Sequence, residues 1–223
     1  MKKIIFIAIA FLVFIPKGYA QEIAEETKFF KTTISGDGKY FYTTEVSEEE
    51  YNNVTEEVLT RSYVETQYKK LSITKTSSYA NLTVEWKVLP SCRSFDVIAI
   101  RGEGVTFTAS SLSGEQLYVK NNTSDIVNYT YTSNNTKIFS TGAGISMNLV
   151  DDATSYTLKL RIIYNKTGNN PKIFGSYQYT QTNLTLSQSK NYTLSSSGYG
   201  KVINFASSVK SYYDNMPGVS LSL

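Results

Sequence analysis

The sequence predicts a mainly β protein: an antiparallel, Greek-key-like β-sandwich with an N-terminal β-hairpin and one short amphipathic helix. Three observations carry that prediction. Apolar and polar residues alternate at period two over 82–88 and again over 156–162, as in strands buried on one face. A dozen strand-length segments are separated by Gly, Asn, Asp and Ser clusters, which is turn chemistry at sandwich or barrel spacing. After the N-terminal leader only Ser47 opens a convincing helix.

Residues 1–20 read as a secretory signal: Lys2 and Lys3, an apolar run over 4–15, and a small-residue exit ending at Ala20. That run is shorter than the roughly 20 residues a membrane-spanning helix needs, so the mature chain is expected to be secreted, extracellular or held at the cell surface, with no stable membrane span. The signal lacks a terminal cysteine for lipid attachment. Lysine outnumbers arginine and asparagine is abundant, which fits an AT-rich coding sequence and a Gram-positive bacterium.

Two segments follow the signal, an acidic hairpin-helix unit over 21–62 and the β-sandwich over 63–223. Stretches 29–35 and 39–45 flank Gly36-Asp37-Gly38 and form the hairpin. Ser47 caps the helix, Glu50 completes the capping box, Val46 is placed to staple onto Tyr51, and Tyr51, Val54, Val58 and Leu59 make the apolar stripe. Strands are then expected over 68–76, 82–88, 95–100, 105–109, 116–120, 126–132, 144–150, 156–164, 173–180, 184–187, 201–205 and 219–223.

The stretch 81–101 organises this plan. Its first limb buries Leu82, Val84, Trp86 and Val88 on one face, Pro90 interrupts, and the second limb is apolar on both faces. It reads as a core hairpin whose second strand needs cover above and below, with the Ser47 helix as the candidate cover. A faint repeat aligns 140–148 with 196–204 through S-x-G-x-G-x-x-x-N, as two similar half-folds would.

Removing Lys2, Lys3 and Lys17 with the signal leaves 19 of the 22 basic residues facing 19 acidic ones. A neutral mature chain gives no argument for nucleic acid. The charge is uneven, because 21–57 holds ten acidic residues and three lysines. That segment reads as a solvated acidic face or a removable pro-segment. Cys92 is the sole cysteine, which excludes an internal disulfide.

The chain has no histidine, so Ser-His-Asp and Cys-His catalysis and histidine-zinc sites are excluded. Ser207-Ser208-Val209-Lys210 and Lys166-Thr167-Gly168 imitate penicillin-recognising motifs in reversed order, without the helical domain that presents the nucleophile. The G-x-G elements lead into strands and are turns rather than phosphate loops. Asp151 and Asp152 lie in a turn without calcium-loop spacing. No metal, cofactor or catalytic residue is expected.

Asp96 is the misfit, a carboxylate beside Ile98 and Ile100 that is costly to bury unless paired. Arg93 and Arg101 at the strand ends are its expected partners, and Arg93, Asp96 and Arg101 form the candidate binding residues. Tyr129, Tyr131, Tyr177 and Tyr179 repeat at strand spacing, either as an exposed platform or packed between sheets. These features predict a non-enzymatic binding or structural module with a protein, cell-wall or glycan partner, self-association included. The alternative is a secreted β-pore-forming or cell-damaging protein, although turns are expected to break every run over 104–150 below the length a membrane strand needs. A carboxylate-dependent glycosidase, needing two acids across a cleft, ranks third.

Overall fold

Alternation decides which side of each strand turns inward, and two antiparallel sheets bury those sides against each other. The computed structural model describes residues 24–35, 41–54, 66–196 and 200–223. The elements are β1 (Ala24–Ile34), β2 (Phe41–Val46), α1 (Glu48–Asn52), β3 (Thr66–Lys75), β4 (Tyr79–Trp86), β5 (Phe95–Glu103), β6 (Val105–Lys120) and β7 (Ile126–Thr130). A 3-10 turn (Ser133–Asn135), β8 (Thr136–Phe139), β9 (Gly142–Asn148), β10 (Ala153–Lys166) and β11 (Lys172–Gln178) follow. The chain continues through α2 (Leu186–Ser189), β12 (Tyr192–Leu194), β13 (Ile203–Phe205), α3 (Ser207–Lys210) and β14 (Val219–Ser222).

The larger sheet has seven strands in the order β2-β1-β3-β4-β10-β6-β7, the smaller five in the order β14-β11-β5-β9-β8. Between them lies the main core. Leu71, Ile73, Leu82, Val84, Trp86, Leu158, Leu160 and Ile162 enter it from the larger sheet, and Ile98, Ile100, Ile145, Met147, Ile173 and Tyr177 from the smaller. The expected β-sandwich is therefore present, with few helices.

The stretch 81–101 is a correction to the expected hairpin. Its limbs do not pair: β4 lies between β3 and β10 in one sheet, β5 between β11 and β9 in the other. The connector containing Pro90 carries the chain from layer to layer. This accounts for the different burial of the limbs, since β4 alternates while seven consecutive residues of β5 are buried.

The cover on the second face of β5 is also a correction. Helix α1 is a single turn, with Ser47 Oγ accepting from the Glu50 backbone N–H at 3.0 Å. Its Tyr51 ring packs on Phe29 of β1 at 4.9 Å, far from the expected role over β5. The C-terminal residues cover that face instead. Val97, Ala99 and Phe174 form a second core with Leu184, Tyr192, Ile203, Phe205, Val209 and Tyr213. Val58 and Leu59 of the expected stripe, the expected signal peptide and the expected turn at Gly36–Gly38 lie outside the described residues.

The hairpin strands themselves pair from Phe29↔Val46 to Ile34↔Phe41. β1 also pairs with β3 over ten residues, so the acidic segment supplies the larger sheet with two of its strands. Expected strands 105–109 and 116–120 are one continuous strand, β6, of 16 residues. The 14-residue β10 pairs with both ends of β6, Val105–Thr108 and Ser113–Lys120, and the register shifts across 109–112 between them. The expectation that turns break every run over 104–150 is thereby overturned.

Segment 184–187 is not a strand. Thr185 and Gln188 form a reciprocal capping box that starts α2 there. β8 and β12 are additional strands. The two repeat copies occupy unlike places, since β9 is inside the five-stranded sheet while β13, among the described residues, pairs only with β12.

Candidate functional site

Two features of the sandwich carry chemistry, one on its surface and one in its interior. On the outer face of the larger sheet, strand register lines up polar side chains in rows. Thr74, Asn81, Arg161 and Ser113 are successive neighbours across β3, β4, β10 and β6, and Thr83, Lys159 and Glu115 form the next row. Period-two alternation produces this grid, because the residues between them point into the core. The seven side chains line a concavity of about 360 Å³. The Arg161 guanidinium stacks on the Tyr79 ring at 3.6 Å, fixing one donor fork at its margin. Such a surface offers amide, hydroxyl, carboxylate, ammonium and guanidinium groups together, so it suits a polar, hydroxyl-rich partner.

The interior feature is a cluster of charged and aromatic residues at one end of the main core. Lys69 points inward from β3 on the same face as Leu71 and Ile73, and its side chain is 0% exposed. Its ammonium donates to Asp214 Oδ2 at 2.7 Å, and the Asp214 side chain is likewise 0% exposed. Trp86, the cross-strand neighbour of Lys69, holds its ring 4.6 Å from the ammonium, with the Tyr179 and Tyr177 rings at 5.0 and 5.6 Å. Asp214 is locked in place by its backbone. Its N–H donates to the Tyr179 carbonyl at 2.9 Å, and its Oδ1 accepts from the Tyr179 N–H at 3.1 Å. Thr43 Oγ1 adds a contact to Oδ2 at 3.3 Å.

Asp96 belongs to the same cluster. Its Oδ2 accepts from the Tyr177 hydroxyl and its Oδ1 from the Thr180 N–H at 3.0 Å. Burial raises its pKa to about 8, opposed by those two hydrogen bonds and by the Lys69 charge, and assisted by the Asp214 charge. Asp96 is thus mainly a neutral acid near pH 7. Tyr177 is pushed well above the ordinary phenol value by burial and by Asp96, so it stays protonated.

The three candidate binding residues do not come together. Asp96 faces the main core, whereas Arg101, an odd number of positions along the same strand, faces the other side. There Arg101 reaches Glu103 at 2.8 Å and lies over the Phe174 ring at 4.3 Å. Arg93 stands over the Tyr156 ring at 5.7 Å and donates to the Val150 carbonyl at 3.5 Å. The expected partners of Asp96 are thus replaced by Tyr177 and Thr180. Of the four tyrosines, Tyr131, Tyr177 and Tyr179 are buried, while Tyr129 is exposed.

Sequence reasoning passed over Lys69 and Asp214. For Lys69 a signal was present, because the parity that sends Leu71 and Ile73 inward sends residue 69 inward too. Asp214 sits in an irregular segment where no period applies.

No family model matches the chain, and no curated protein matches it. Among solved structures, it is similar to the KRT10-binding region domain of the pneumococcal serine rich repeat protein PsrP, at 12% identity, covering 70% of this chain and 86% of that chain. The TM-score is 0.29, and a likeness that loose carries no argument.

Proposed function

We propose that this chain is an exported, non-enzymatic β-sandwich that binds a polar partner, a glycan above all, on the outer face of its seven-stranded sheet. The observation supporting this reading is the double row of polar side chains around Arg161 and Lys159, presented by four adjacent strands. Rigid strands hold such groups more accurately than loops do. The signal-like N-terminus supplies the route out of the cell, and no helix among the described residues is long and apolar enough to cross a membrane. A glycan array and a cell-wall pull-down of the mature protein test it. Binding that is lost in Arg161→Ala, with folding unchanged, supports the reading. Binding that survives Arg161→Ala and Lys159→Ala together overturns it.

A further inference from the structure

We propose that Lys69 and Asp214 become joined by an amide bond between the lysine Nζ and the aspartate Cγ, tying the two layers of the sandwich together covalently. Each condition for that reaction is met by a separate observation. The nucleophile and the carboxyl group are in contact, since Nζ lies 2.7 Å from Oδ2, one bond from the carbon to be attacked. Both side chains are 0% exposed. The carboxyl group cannot rotate away, because the Tyr179 N–H holds Oδ1 and the Asp214 N–H is bonded to the Tyr179 carbonyl. Pre-positioning of this kind turns an encounter between two groups into a step within one site.

In water an amine and a carboxylic acid stay apart, because both ionise and both are hydrated. Inside this core the hydration is gone, and each buried charge is balanced chiefly by the other. Condensation removes both charges. The ammonium first passes a proton to the carboxylate through their shared hydrogen bond, leaving an amine and an acid. The nitrogen lone pair then adds to Cγ, and the C–O bond of the departing hydroxyl breaks. That oxygen leaves as water with two of the three ammonium hydrogens, and the third stays on the amide nitrogen. No oxidant, metal or co-reactant enters. The Trp86, Tyr177 and Tyr179 rings around Nζ keep out the water that would hydrolyse the product.

Between addition and departure a proton must move from nitrogen to the leaving oxygen. Asp96 is the other buried carboxyl of the cluster and acts as a positioning and proton-holding residue. Its carboxyl accepts from the Tyr177 hydroxyl, and the ring of Tyr177 lies 5.6 Å from the ammonium. An un-ionised Asp96 also adds no second negative charge beside the pair.

The test is the intact mass of the purified mature protein under denaturing conditions. The expected mass is one water below that of the sequence, with trypsin failing to cut after Lys69 and releasing a branched peptide that joins Lys69 to Asp214. Folded protein at full mass overturns the proposal. So does a water loss that maps to a succinimide at Asp37-Gly38, or a bond to Asp214 from Lys201, whose ammonium feels the Asp214 charge. In Asp96→Asn, bond formation in the folded protein is expected to slow by about 10²-fold or more. A folded variant that dehydrates as fast as wild type removes Asp96 from the scheme. If that variant does not fold, Tyr177→Phe, which removes the hydroxyl that holds the Asp96 carboxyl, is the second probe and is expected to slow the bond in the same way.

Discussion

The hydroxyl of Tyr177 stands between Trp86 and Asp96, accepting from the indole Nε1 at 3.0 Å and donating to the Asp96 carboxyl. One hydroxyl therefore satisfies two buried polar groups from opposite sheets. The arrangement makes Asp96 tolerable in the core without a cation in direct contact.

A neutral Asp96 gives the fold a definite pH response. Its pKa is raised to about 8 in the folded chain, against about 4 for an unfolded aspartate. Unfolding between those values releases a proton, so this group's stabilisation is complete below about pH 4 and declines as pH rises toward 8. The decline is at most about 1.4 kcal/mol per pH unit. Asp96→Asn should flatten it. Urea denaturation at several pH values measures the slope, and an unchanged slope in the variant would assign it to other groups.

Lys69 and Asp214 should behave as a unit. Replacing either alone, as Lys69→Met or Asp214→Leu, leaves a buried charge without its partner and is expected to cost about 3–5 kcal/mol. The double replacement should cost less than the sum of the two. Denaturation midpoints of the four proteins give the coupling, and additive losses would contradict it.

Two glycines should respond differently to a methyl group. A Cβ on Gly142 would lie 2.1 Å from the Ile100 carbonyl oxygen, which is ladder backbone and cannot yield. On Gly175 it would meet the Leu82 side chain at 2.3 Å, and that side chain can turn. Gly142→Ala should therefore cost about 3 kcal/mol and Gly175→Ala nearer 1 kcal/mol. Thermal melts rank the two.

On the outer face, Lys159→Ala and Arg161→Ala should leave stability within about 0.5 kcal/mol of wild type, as exposed substitutions do. Partner binding should fall. Comparing the melt with the binding signal separates the two effects.

Much of the sandwich was legible because period two is a local property. The alternation at Tyr156, Leu158, Leu160 and Ile162 gave the inward face of β10 correctly, and all four residues are buried. Two-sided burial of β5 was legible too, but what covers it was not, because the covering residues lie a hundred positions away and only topology brings them near. The missed continuity of β6 has the same origin: Ser110, Ser111, Ser113 and Gly114 look like a turn, but β10 pairs with Ser113 and Gly114 and its Ile163 N–H donates to Ser111 Oγ. For the site, Asp96 stood out by its cost, yet its partners were sought among nearby arginines. Strand parity already opposed Arg101, and the true donors, Tyr177 and Thr180, are some eighty residues downstream.

Lys69 and Asp214 touch although 145 residues separate them. Drawn out straight, that length of chain would reach about 500 Å. With the amide in place, tension applied outside the enclosed segment crosses from β3 to the lead-in of β14 through one bond. Nearly every strand of both sheets then lies in an unloaded loop, and only β1, β2 and the final strand can be peeled. A chain with a single cysteine, and so without an internal disulfide, would in this way resist pulling as a short tether does, with its folded mass carried beside the line of force.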